Sequence, residues 1–177
     1  NARIFLKRAS AGKEWEPMAC VARLFQWKRG LVVTRAVRTG VYSFAHFIVD
    51  FACAFLMFHS LYATPGWMAR VLVYNFFAFA MQMPLGLLVD RANRNALIAC
   101  GGCALAAAGF GLTSWPMVAA IVAGIGNGLF HLGAGVDVLN MSGSRCGPLG
   151  VFVSPGALGI YLGALLGREA ALPVGLI

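Results

Sequence analysis

His46 and Asp50 stand four residues apart inside an apolar run, a spacing that puts an imidazole and a carboxylate on one helix face within reach of each other. A carboxylate at that depth avoids lipid by facing a bundle interior or an aqueous path, and a neighbouring imidazole can share or relay its proton. The plainer reading is a structural His–Asp hydrogen bond. Asn127 and His131 repeat the spacing within Gly124-Ile125-Gly126-Asn127-Gly128-Leu129-Phe130-His131, facing a cavity or simply packing. A third polar stripe joins Asn75 and Gln82, seven apart, to Gly86 and Asp90 at further steps of four. It serves interhelical hydrogen bonding or lines a pathway.

Other chemistries fit less well. His46, His59 and His131 lie far apart without a ligand-spaced partner set, so neither a metal nor a cofactor is expected. Cys100-Gly101-Gly102-Cys103 has redox spacing but no surrounding βαβ pattern. The glycines from Gly124 to Gly135 lie in mid-run, where no strand precedes a phosphate-cradling loop, so no nucleotide site is expected. Gly124 and Gly128 instead form a small-residue step that admits a neighbouring helix. Gly133-Ala134-Gly135-Val136-Asp137 misses the spacing of intramembrane aspartyl proteases, and Ser144 lacks the setting of a nucleophile elbow. The chain does not read as an enzyme.

The elements that position these residues are set by composition. The chain is 60% hydrophobic and 11% charged, with a mean hydropathy of +0.78, against about 45–50% and about 25% in soluble domains. Apolar runs at 41–63, 67–89, 96–113, 116–140 and 148–167 are each long enough to span a bilayer. Lipid cannot satisfy free backbone amides, so the runs read as helices. Short breaks at Thr64-Pro65-Gly66, Asp90 to Asn95, Thr113 to Pro116, Ser142 to Pro148 and Arg168-Glu169 make neighbours antiparallel. The expected fold is an all-α integral membrane bundle of five full spans plus the start of a sixth.

Charge gives the orientation. Every Lys and Arg except Arg70 and Arg168 falls on one side of this topology, so the N-terminus and the 90–95 loop are expected in the cytoplasm. The net charge of +8 then points to anionic lipid headgroups as partners, and not to nucleic acid. Residues 1–36 read as a basic cytoplasmic lead-in, and residues 37–177 as the bundle. The chain begins with Asn, and Ala170 to Ile177 is too short to cross, so a fragment truncated before a second half is expected.

Gly86-Leu87-Leu88-Val89-Asp90-Arg91-Ala92-Asn93-Arg94 places a carboxylate and two guanidiniums between two apolar runs. It resembles the loop between the second and third helices of the major facilitator superfamily, written G-x-L-x-D-R-x-G-R-R. Asn93 stands for the second glycine, tolerable because Asn accepts left-handed backbone angles, and Asn95 replaces the last basic residue. The first-helix His and Asp and the glycine-rich stretch ending in Phe130-His131 are similar to the fosmidomycin resistance branch, although Leu132-Gly133 replaces that branch's Pro-Glu. Ser154-Pro155-Gly156 looks like a degraded antiporter signature.

The resemblance implies the N-terminal six-helix half of a bacterial inner-membrane transporter, moving a small organic solute or drug by alternating access with proton-coupled efflux. His46, Asp50, Asn127 and His131 would face the cavity, with Asn75 and Gln82 contributing. Gly86, Asp90, Arg91 and Arg94 would form a conformational latch against the missing half or a second copy. Asp137, near the same end, is expected to pair with Arg91 or Arg94. The alternative is a half-size bundle acting as a scaffold or homodimer subunit.

Overall fold

The computed structural model describes residues 17–62, 64–143 and 145–171, with side chains within 34–170. The basic residues ahead of Pro17 and the expected start of a sixth span beyond Ala171 lie outside them. The chain divides into two units, Asn1–Arg35 and Ala36–Ile177. Helix α1 (Pro17–Phe55) runs through the boundary, and the description below concerns the second unit.

Among the described residues every regular element is helical. A π-helical turn (Leu56–Ser60) ends α1. Helix α2 (Trp67–Asn75) passes through a second π turn (Phe76–Ala80) into α3 (Gln82–Ala92). Three further helices follow, α4 (Asn95–Gly111), α5 (Pro116–Ser142) and α6 (Gly147–Ala171). Thr34–Ser60, Pro116–Ser142 and Gly147–Ala170 are long and apolar enough to cross a membrane. The α2–α3 pair, bent by 40°, makes a fourth if counted as one span. Helix α4 has 17 residues, about 26 Å at 1.5 Å per residue, somewhat less than a hydrocarbon core of about 30 Å.

Local chemistry sets the turns. Asn93 ends α3 in the left-handed region, φ 46° and ψ 40°, and its N–H donates to the Val89 carbonyl at 3.0 Å. Pro116 opens α5, where its missing N–H costs nothing. At the break after the first π turn, the guanidinium of the buried Arg70 donates to the carbonyls of Pro65 (2.7 Å), Thr64 (2.6 Å) and Leu61 (3.3 Å), and to the Thr64 hydroxyl. Those acceptors compensate a cation that has no carboxylate partner among the described residues. The break expected at Arg168-Glu169 does not occur, because α6 continues to Ala171. Arg168 lies in the last turn, where a cation complements the helix dipole, and its guanidinium covers the Phe58 ring at 4.5 Å.

Helix α5 is the hub, and small residues let its neighbours close on it. A β-carbon on Gly126 would overlap the Ala106 N–H, and one on Gly133 would overlap the backbone of Asn95 and Ala99, so α4 and α5 meet backbone to backbone and run antiparallel. Tyr74 and Phe77 press on Gly124, while Phe77 and Ala78 approach Gly128, bringing α2 and the second π turn onto the same helix. Along α6, Gly159 and Gly163 meet the backbone of Phe47 and Phe51, so α6 runs parallel to α1. Outward-facing Val151, Val153, Leu158, Ile160, Leu165 and Leu166 are exposed, as suits a lipid-facing helix side.

Candidate functional site

Arg38, Tyr42, His46 and Asp50 recur every four residues and share one face of α1. At the inner end of this stripe, His46 Nε2 lies 3.0 Å from Asp50 Oδ2. Asn127 Nδ2, from α5, donates to Asp50 Oδ1 at 3.0 Å and to the Tyr74 hydroxyl at 2.9 Å. His131 Nε2 faces Asp50 Oδ1 across 3.8 Å. The two imidazoles meet edge to face, with centroids 4.4 Å apart. His46, Asp50 and Asn127 are 3%, 4% and 1% exposed, so the cluster is closed to lipid and nearly closed to water. His131 retains 19% side-chain exposure and forms its open side.

Backbone carbonyls fix both histidine tautomers. His46 Nδ1 lies 2.8 Å from the Phe152 carbonyl, and His131 Nδ1 lies 2.9 Å from the Asn127 carbonyl. A carbonyl can only accept, so each Nδ1 carries its hydrogen, and in the neutral ring the Nε2 lone pair is left toward Asp50. Two imidazole nitrogens and a carboxylate thus converge, with the Asn127 amide as the one donor from a side chain of fixed charge. Phe152 and Phe130 wall the His46 ring, at 4.5 and 5.8 Å between centroids. Cys53 lies buried beside Tyr74 and Asn127. Such an arrangement can bind a cation, hold a proton between His46 and Asp50, or pass one toward His131.

The predicted cavity residues divide. His46, Asp50, Asn127 and His131 come together, which corrects the expectation that the histidines stand alone. Asn75 and Gln82 do not join them. Asn75 Nδ2 donates to its own helix at the Val71 carbonyl (2.8 Å), and Gln82 Nε2 to the Ala78 carbonyl (2.7 Å). Between the two lies the second π turn, closed by the Met81 N–H donating to the Phe76 carbonyl at 3.0 Å. One extra residue per turn rotates everything beyond it by about 100°, so a stripe counted on α-helical spacing is broken.

The predicted latch divides as well. Asp137 does not meet Arg91 or Arg94. Its Oδ2 accepts from Arg38 Nη2 at 2.6 Å and from the Tyr42 hydroxyl at 2.8 Å, tying α1 to α5 at the outer end of the α1 stripe. Arg38 and Tyr42 reach it because they share the face of α1 that Asp50 turns toward α5. Asp90, Arg91 and Arg94 are exposed and form no ion pair among the described residues. Gly86 is half-buried against Leu132 of α5.

Three participants escaped the sequence reading. Tyr74 adjoins the chosen Asn75, one helical step away on the face that meets α5. Gly156 enters the sequence reading as the end of Ser154-Pro155-Gly156, yet a β-carbon there would stand 2.6 Å from Asp50 Oδ2 and closer still to His46 Nε2. The Phe152 carbonyl carries no sequence signal at all. Elsewhere, Cys100 and Cys103 are unbonded on α4, and the ring of His59 packs on Phe55 at 4.8 Å. No protein-family model, no curated protein and no solved structure matches this chain.

Proposed function

We propose that this chain works in a secondary active transporter of the major facilitator type, with the Asp50 cluster as its coupling site. The observation that carries the reading is the burial of Asp50, His46 and Asn127 at the junction of α1, α5 and α6, within a bundle whose outer surface is apolar. Burying an ionised carboxylate costs several kcal/mol even after relaxation, and ionisable groups within membrane helices mark ion or substrate paths. A proton on Asp50 removes that charge, lowers the cost of reorienting the bundle, and so couples movement of a small organic solute to the proton gradient. The exposed Asp90, Arg91 and Arg94 then serve as a latch toward a second bundle, on the cytoplasmic face of a bacterial inner membrane, and their contacts bias the two access states. A half-size scaffold or homodimer is the second reading, favoured by the exposed apolar side of α6.

The test uses the full-length protein in proteoliposomes containing the pH dye pyranine, challenged with a panel of small organic solutes that includes fosmidomycin. Wild type should release or take up protons when its solute is added. Asp50→Asn should abolish gradient-driven flux while leaving solute exchange partly intact. Proton flux unchanged by Asp50→Asn defeats the reading.

A further inference from the structure

We infer that His46 Nε2, His131 Nε2 and the Asp50 carboxylate form a binding site for a divalent transition-metal ion of the zinc class. The inference goes beyond the transport reading and stands without it. The three ligand atoms come from α1 and α5 and lie within 4.8 Å of one another. An ion bonded tetrahedrally at about 2.0–2.1 Å holds its ligand atoms about 3.3–3.4 Å apart. His46 Nε2 lies 3.0 Å from Asp50 Oδ2 and His131 Nε2 lies 3.8 Å from Asp50 Oδ1, on either side of that value and from different oxygens, so closure draws the carboxylate and the two imidazoles inward by side-chain shifts of about an ångström.

A proton alone accounts for only half of the geometry. It can sit in the 3.0 Å His46–Asp50 contact, but 3.8 Å is beyond hydrogen-bond range. His131 Nε2 makes no hydrogen bond among the described residues, and its Nδ1 is already committed to the Asn127 carbonyl. An ion between the three atoms satisfies all of them at once. The surroundings are those a metal site needs. Each imidazole donates its other ring hydrogen to a backbone carbonyl, which fixes its tautomer and raises its basicity as a ligand. The carboxylate is oriented by Asn127.

Asn127 supplies a second, independent observation. Its Oδ1 is buried with no hydrogen-bond partner. In the ion-free site Nδ2 holds Asp50 Oδ1; when an ion binds, a half-turn of the amide gives up that bond, lets Oδ1 accept from the Tyr74 hydroxyl, and offers the ion a fourth ligand. The remaining exposure of His131 gives an ion its way in. Two nitrogens and one carboxylate favour zinc, cobalt or iron(II) over calcium or magnesium, which prefer all-oxygen shells. No thiolate belongs to the three-ligand group, which argues against a soft copper(I) site.

The experiment is a cobalt(II) titration of the full-length protein in lipid nanodiscs, read by visible absorption. All five cysteines are replaced by Ser, so that thiolates contribute nothing. The cysteine-free protein should take up one cobalt per chain, with the intense bands of a four-coordinate nitrogen–oxygen site, and zinc should displace it. His131→Gln and His46→Gln should each weaken uptake by more than about tenfold, whereas His59→Gln should leave it unchanged. Absence of saturable uptake by folded cysteine-free protein overturns the inference, as does uptake undiminished by the His46→Gln/His131→Gln pair. If a variant fails to fold, zinc protection of His131, the imidazole on the open side, against diethylpyrocarbonate in the wild-type chain decides instead, and lack of protection overturns the site. Proton flux is not read in this experiment, so its failure leaves the transport reading standing.

Discussion

Gly156 and Asp50 are in contact across the α1–α6 interface so closely that a β-carbon on the glycine would lie 2.6 Å from the carboxylate oxygen. Gly156→Ala should therefore push α6 away or turn Asp50 and His46 out of their present rotamers. Overpacking of this kind costs about 1–3 kcal/mol. Thermal unfolding in detergent should show the loss, and cobalt uptake should fall with it. A Gly156→Ala protein of unaltered stability and uptake would mean that the two helices are farther apart than described.

Asn127 bridges Asp50 and Tyr74, so its removal strands two buried polar groups. Asn127→Ala should cost about 1–3 kcal/mol, while Tyr74→Phe, which leaves Asn127 bonded to Asp50, should cost about 0.5–1.5 kcal/mol. The double variant should lose less than the sum of the single losses, because the Asn127–Tyr74 bond is counted twice in it. Strict additivity in melting experiments would contradict the shared bond.

Arg38 and Asp137 are 49% and 17% exposed at the side chain, so their pair is worth little in water. A double-mutant cycle with Arg38→Gln and Asp137→Asn should give a coupling of about 0.2–1 kcal/mol, shrinking as salt is raised from 0.05 to about 0.5 M. Tyr42→Phe should reduce stability further in the presence of Asp137 and hardly at all in Asp137→Asn. A coupling that ignores salt would mean the pair is shielded from solvent.

Asp90 is exposed and unpaired within the described residues, so Asp90→Ala should change unfolding by no more than about 0.5 kcal/mol. If the loop is a latch, the same variant should still alter maleimide labelling of a single cysteine placed at Gly135, half-buried one turn beyond His131 on α5, in the full-length protein. Equal labelling rates in the two backgrounds would remove the latch.

Periodicity made part of this arrangement legible. Spacings of four put His46 with Asp50 and Asn127 with His131, and apolar runs marked the helices, three of which are long and apolar enough to cross a membrane. What spacing within one helix cannot say is which faces meet. That is decided by glycines such as Gly126 and Gly159, where backbones touch, and it is why Asp137 finds Arg38 instead of the nearer-looking Arg91. The Asn75–Gln82 stripe failed for a different reason. Its count assumed 3.6 residues per turn through a stretch that adopts a wider one, and FFAFA has no feature that announces the change.

Helix α5 touches α1, α2, α4 and α6 and follows three of them in the chain, so those three are synthesised before their common neighbour. Until residues 116–142 emerge, Asp50 has His46 but neither Asn127 nor His131. The Phe152 carbonyl and Gly156 arrive later still. A nascent chain that stops short of α5 carries the Asp50 carboxylate without the α5 partners that offset the cost of burying it.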